Sequence, residues 1–168
     1  MQMRTEDRTK YPWLATFVVG ELPMVVNKSR VWRAFEKFAL ADVPRWGKTA
    51  TASVVWGKGP TLAIEDIDDY YIAKGGVARV SGMFKHAHPN KIYLDDTLVA
   101  EYEADHDKSD AKQYIEATIL HELVHWANHW TGQHSLLTIS RNGGGLSVES
   151  HTPEGFEIEA YGKVLSHW

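Results

Sequence analysis

Apolar positions recur at helical spacing in several stretches of the chain and at strand spacing in others. Between Ser29 and about Ala41, the residues Val31, Trp32, Phe35, Phe38 and Ala39 fall on one side of a helix that Ser29 can cap. From Ser109 or Asp110 the apolar residues Ala111, Tyr114, Ile115, Ile119 and Leu123 keep the same period, predicting a long helix to Trp130 that Gly132 ends. Thr152 as cap, Pro153 at the first position and Glu154 in the first turn predict a last helix running towards Leu165. Asp95-Asp96-Thr97 can cap a shorter helix with Leu98, Val99 and Tyr102 inward. An acidic loop from Glu103 to Asp110 is expected to follow it, with His106 solvated.

Short β-prone runs lie between the helices. Ser53–Trp56 and Thr61–Ile64, separated by Gly57-Lys58-Gly59-Pro60, predict a hairpin. Val77–Val80 and Ile92–Leu94 predict two strands joined through His86-Ala87-His88, from which one histidine can face a substrate. Asp66, Asp68 and Asp69 read as a solvated turn or helix start, because the glycine and final glutamate of a calcium loop are missing. Residues 1–12 are polar and expected to be loosely ordered, with Tyr11-Pro12-Trp13 docking where the chain enters the domain. Between Gly132 and Thr152 there is no helical period, and Asn142-Gly143-Gly144-Gly145 marks a lid, a substrate-binding edge or a plain connector.

A chain of 168 residues, 43% of them hydrophobic, suffices for one sizeable core and predicts a single globular domain. A net charge of -4 and the absence of any basic run argue against nucleic acid or anionic membrane as the main partner. The most apolar early stretch, Trp13–Val26, is broken by Gly20-Glu21-Leu22-Pro23 and follows charged residues, so it resembles neither a signal peptide nor a membrane span. With no cysteine, any metal must be held by the nine histidines and the carboxylates.

That restriction points to Thr118–Ala127, where His121 and His125 flank Glu122 and two further residues. Residues four apart on a helix are separated by about 40° around the axis and roughly 6 Å along it, so the two imidazoles project side by side. One ion can take a nitrogen from each. Zinc accepts imidazole nitrogen and, at catalytic sites, three protein ligands and a water. Glu122 is rotated about 100° from His121, beside such an ion, where a general base for the water belongs. The neighbours Ile119, Leu120, Leu123, Val124, Trp126 and Ala127 carry no charge, so a compensating partner is needed for the polar group they enclose. His129 lies about 12 Å along the axis from His121 and cannot share its ion.

A third ligand must therefore come from elsewhere. On the last helix, with Glu157 as origin, Tyr161 falls near about 40°, Leu165 near about 80°, Ile158 near about 100° and Val164 near about 340°. Glu157 is thus expected on the buried face, while Glu159 falls beside Lys163 on the solvated one. A lone carboxylate among apolar residues is costly unless paired or bound to metal, which selects Glu157 ahead of Glu159 and Glu154. Tyr161, one turn on, either donates a hydrogen bond to an oxyanion or merely packs.

Leu120–Trp126, followed by Gly155-Phe156-Glu157-Ile158-Glu159-Ala160-Tyr161-Gly162, resembles the zincin metallopeptidase domains of bacterial polymorphic toxins, notably those fused to type VI secretion spike (VgrG) proteins. Gly82-Met83-Phe84, Ile92-Tyr93-Leu94 and Leu98–Glu103 are similar to the same family, and the likeness runs from about residue 75 to the C-terminus. The resemblance implies a zincin-like α+β fold with a small sheet packed on the motif helix, peptidase activity on a peptide or protein, and delivery into a competing cell. It also implies Zn2+ held by two histidines and a glutamate, matching His121, His125 and Glu157, with Glu122 as the base. An immunity protein and attachment to a larger secreted spike protein are the partners implied. The rival expectations are a hydrolase of a cell-wall amide and a binding module whose zinc is structural, the latter requiring four protein ligands.

Overall fold

The computed structural model describes residues 1–40, 47–67, 80–131 and 153–165, with side chains omitted for residues 40 and 47–50. A short strand β1 (Gln2–Met3) leads into helices α1 (Thr5–Lys10) and α2 (Pro12–Thr16). A π turn (Phe17–Glu21) and a 3-10 segment (Leu22–Asn27) follow, then α3 (Ser29–Leu40) and α4 (Gly47–Val54). Strands β2 (Thr61–Glu65), β3 (Gly82–Phe84) and β4 (Lys91–Asp95) come next. The chain continues through α5 (Asp96–Asp105), α6 (Ser109–Thr131) and α7 (Pro153–Tyr161). The architecture is α+β.

The four strands form one sheet in the order β1-β2-β4-β3, with β1, β2 and β4 parallel and β3 antiparallel on the edge beside β4. The register explains the two apolar faces. Leu62, Ile64, Ile92 and Leu94 join the main core against the helices, whereas Ala63, Met83 and Tyr93, which lie across from one another, pack with Ile67 on the reverse. Gly82, opposite Leu94, therefore faces α6.

α6 is the central element, with Ile115, Ile119, Leu120, Leu123 and Val124 fully buried. α3 packs on it and on α7 through Ala34, Phe35 and Phe38, and the Phe35 and Phe156 rings meet edge to face at 6.2 Å. Truncating either ring to alanine would leave a cavity costing about 3–5 kcal/mol.

Several expected elements differ from the observed ones. Ser53 and Val54 end α4, and the second half of the expected hairpin, β2, pairs in parallel with its neighbours. The β2 run is buried on both faces, which suits a central parallel strand and carries no signal of its partner. The first dozen residues are built into the fold: Met1 and Tyr11 are buried, and β1 adds to the sheet. The expected acidic loop is largely helical, since α5 runs to Asp105, and His106 stacks on Trp13 at 3.9 Å instead of lying free in solvent. The strand expected over Val77–Val80, the aspartates 68 and 69, and the segment from Gly132 to Thr152 lie outside the described residues, apart from Val80.

Asp95 joins the sheet to α5. Its buried carboxylate accepts from the backbone N–H groups of Thr97 at 3.0 Å, Leu98 at 3.2 Å and Ile67 at 3.3 Å. Asp95→Ala removes a helix cap and strands buried donors, so a loss of about 2–4 kcal/mol is expected in urea denaturation. A change below about 0.5 kcal/mol, the range of an ordinary surface substitution, would refute this linking role.

Candidate active site

α6 brings His121, Glu122 and His125 to one end of the sheet. The two imidazoles lie side by side with ring centroids 5.3 Å apart, each half-buried, while Glu122 between them is buried. β3 closes over this carboxylate. A Cβ built on Gly82 would meet Glu122 Cγ at 2.9 Å and Oε1 at 3.0 Å, and Thr118 Cγ2 at 3.0 Å. Only glycine lets the strand lie this near the helix. The Phe84 backbone N–H donates to the same carboxylate, whereas Glu122 Oε2 has no hydrogen-bond partner among the described residues.

Burial pushes the Glu122 carboxyl up to about 7, with the charges of Glu157 and Glu154 adding to the shift, and His121 and the Phe84 N–H opposing it. Burial, with the neighbouring His121, lowers His125 to about 4, so it is a neutral imidazole at neutral pH with a lone pair to offer. For His121 burial again disfavours charge, but the hydrogen bond it donates to Glu157 and the surrounding carboxylates outweigh it and raise the pKa.

α7 carries the remaining candidates. Glu157 is buried, as expected, and its Oε1 lies 2.5 Å from His121 Nδ1 while its Oε2 accepts from the Leu165 N–H at 2.7 Å. The helix stops at Tyr161, ahead of the expected Leu165, because Gly162 takes a positive φ of 85°. That turn frees the Leu165 amide for Glu157. Phe156 and Ala160 fill the buried face, and Ile158 and Val164, expected there, are about half exposed at 50% and 48%. Glu159 is exposed as expected, but pairs with Lys37 of α3 at 2.5 Å. Glu154 is exposed, and its charge acts on His121, Glu122 and His125 together.

Tyr161 is drawn elsewhere. Its hydroxyl donates to Glu116 Oε1 at 3.2 Å, and Lys28 Nζ takes the other oxygen at 2.7 Å. Burial and the charge of Glu116 raise the phenol's pKa. His88 is held by the Tyr93 hydroxyl at 2.6 Å, whereas His86 reaches towards α6. Sequence patterns carried no indication of the Glu116–Lys28–Tyr161 group. A glycine opening a short apolar strand was the available sign of the contact at Gly82.

A divalent ion that favours nitrogen suits the His121–His125 pair, and the unpartnered Glu122 oxygen fits a base for water. Among the described residues no three His, Cys, Asp or Glu side chains form a group that could hold a metal ion, and Glu157 is engaged with Nδ1 of His121.

The histidine pair and the buried carboxylate on the central helix of this α+β domain are consistent with a metallopeptidase. Residues 7–162 match the metallopeptidase toxin 3 family, and the chain is a member of that family. No curated protein and no solved structure gives a significant match. Membership implies a metal cofactor and action on protein as a toxin domain, consistent with a secreted effector. No helix among the described residues is long and apolar enough to cross a membrane.

Glu122 can be probed in the metal-free protein by pH. A carboxyl raised from 4.5 to about 7 by the fold stabilises it fully below pH 4.5, and this contribution is lost as pH rises to 7. His125, lowered from 6.5 to about 4, works in the opposite direction over nearly the same window. Comparing Glu122→Gln with the unmodified chain isolates the first effect. In chelator, the variant's stability relative to the unmodified chain should improve by roughly 2–3 kcal/mol between pH 4.5 and pH 8, since each pKa unit is worth about 1.4 kcal/mol. A pH-independent difference would show that Glu122 ionises in the fold as it does in water.

Proposed function

We propose that this domain is a zinc-dependent peptidase in which Glu122 is the general base. The observation that carries this reading is the Glu122 carboxylate, buried with one free oxygen beneath the edge strand and beside His121. A bound Zn2+ would supply Lewis acidity, lowering the pKa of water and polarising the peptide carbonyl. His121 and His125 would hold it.

Glu122 then takes a proton from the attacking water and passes it to the leaving nitrogen. The Asp95 N–H donates to the Ser81 carbonyl, so by the alternation of an antiparallel pair Gly82 and Phe84 turn their backbone groups away from β4. An extended peptide can pair along this edge beside the base.

Glu157 is the third ligand in this proposal, and reaching the ion requires it to leave His121 Nδ1. A second assignment rests on the reach of Glu154 to both histidines: Glu154 binds the metal and Glu157 orients His121 through Nδ1. Tyr161, committed to Glu116, fastens α7 to α6 rather than serving an oxyanion. The toxin family supports delivery into a competing bacterium, with the periplasm as the proposed place of action. A type VI spike protein as carrier and an immunity protein as antagonist complete the proposal.

Glu122→Ala should keep zinc while lowering cleavage by about 10²-fold or more, tested on casein-type and peptidoglycan substrates side by side. Near-normal turnover would remove Glu122 as base, and cleavage of peptidoglycan alone would replace peptidase by cell-wall amidase.

Chelator competition separates the carboxylates of α7. Glu157→Gln should weaken zinc binding about tenfold or more, because the amide gives up the anionic charge. Glu159→Gln should change little, since an exposed ion pair contributes about 0–1 kcal/mol. If Glu154→Gln shows the larger loss, the second assignment holds.

A further inference from the structure

We infer that His86 and His129 form a second transition-metal site where the turn between β3 and β4 meets α6. His86 lies in the turn between β3 and β4, and His129 one helical turn beyond His125 on α6. Their Nδ1 atoms are 3.0 Å apart. Two imidazole nitrogens bound at about 2.0–2.1 Å to one tetrahedral ion stand roughly 3.4 Å apart, so a small rotation of either ring admits an ion between them. Where they now face each other, one nitrogen must carry the proton, and a metal takes that proton's place.

The pair is held in position. The Phe84 ring lies against both imidazoles at 5.4 Å, and Trp130, packed edge to face on His129, donates from Nε1 to the Pro89 carbonyl at 3.2 Å. These contacts tie the strand turn to the end of α6. Both histidines are accessible, His86 exposed and His129 half-buried, so an ion arrives with its water and needs only two protein ligands. Imidazole pairs suit zinc, copper and nickel.

An ion here is distinct from one at His121 and His125. Residues four apart on a helix are about 6 Å apart along the axis, more than the roughly 3.5–4 Å of a bridged two-metal centre. The electrostatic influence of His86 nevertheless reaches His125. The site does not depend on the peptidase assignment.

Zn2+ titration calorimetry on the chelator-stripped full chain tests it. The unmodified protein should show two binding events. His86→Ala and His129→Ala, and the milder glutamine variants, should each weaken the second event by at least about tenfold and spare the first, a loss no smaller than second-shell changes produce. His121→Ala should remove the first event and leave the second. His106→Ala, which alters a histidine stacked on Trp13, should leave both unchanged. A second event that survives in all His86 and His129 variants, or a single event in the unmodified chain that depends on His121, overturns the site. Absence of the first event alone would count against the catalytic assignment and not against this one.

Discussion

The contact between Gly82 and Glu122 is the constraint on which the rest of the site depends. A carboxylate in the interior of a long apolar helix carries a large desolvation cost, and burial is what raises Glu122 towards neutrality. The fold offsets part of that cost with the outward-facing N–H of Phe84, which can reach the carboxylate only because Gly82 has no side chain. Strand and carboxylate are therefore positioned by one another. In the proposed peptidase, a peptide laid along β3, an edge strand among the described residues, would meet Glu122 in a fixed relation, since the same backbone segment holds both.

Charge couples the carboxylates of α7 to the groups on α6. The charges of Glu154 and Glu157 act on Glu122 in the middle of α6, and the His121 imidazole, whose pKa they raise, is hydrogen-bonded to Glu157. A dication between the histidines would compete for the same carboxylate and relieve the mutual repulsion that helps raise Glu122. The depressed pKa of His125 works in the same direction, because a neutral imidazole is a ligand and a protonated one is not.

How much of this was legible depended on whether a residue's role is set locally. The helical period of α3 and α6, the cap at Asp95 and the juxtaposition of His121 and His125 follow from spacing along one element, and each is found as expected. The pairing of β2 is non-local. Leu62, Ala63 and Ile64 are buried on both faces, so alternation that would give a register is absent, and a hairpin was the simplest inference. His106 departs from its expected solvation for a similar reason: its acidic neighbours suggest solvent, while its ring partner, Trp13, is distant in sequence.

α7 combines both situations. Its helical wheel put Glu157 inside and Glu159 outside correctly, yet misplaced Ile158, because the buried arc is set by Pro153, Phe156, Glu157 and Ala160. The phase of the helix is fixed by three contacts with α3 and α6. Phe156 meets Phe35 of α3, Tyr161 donates to the Glu116 carboxylate that Lys28 also holds, and Glu159 reaches Lys37. Rotating α7 by one residue, about 100°, would break all three at once. The packing of α3 and the buried Glu116 group thus determine which glutamate faces the histidines, and Gly162 then returns the chain so that the Leu165 amide secures it.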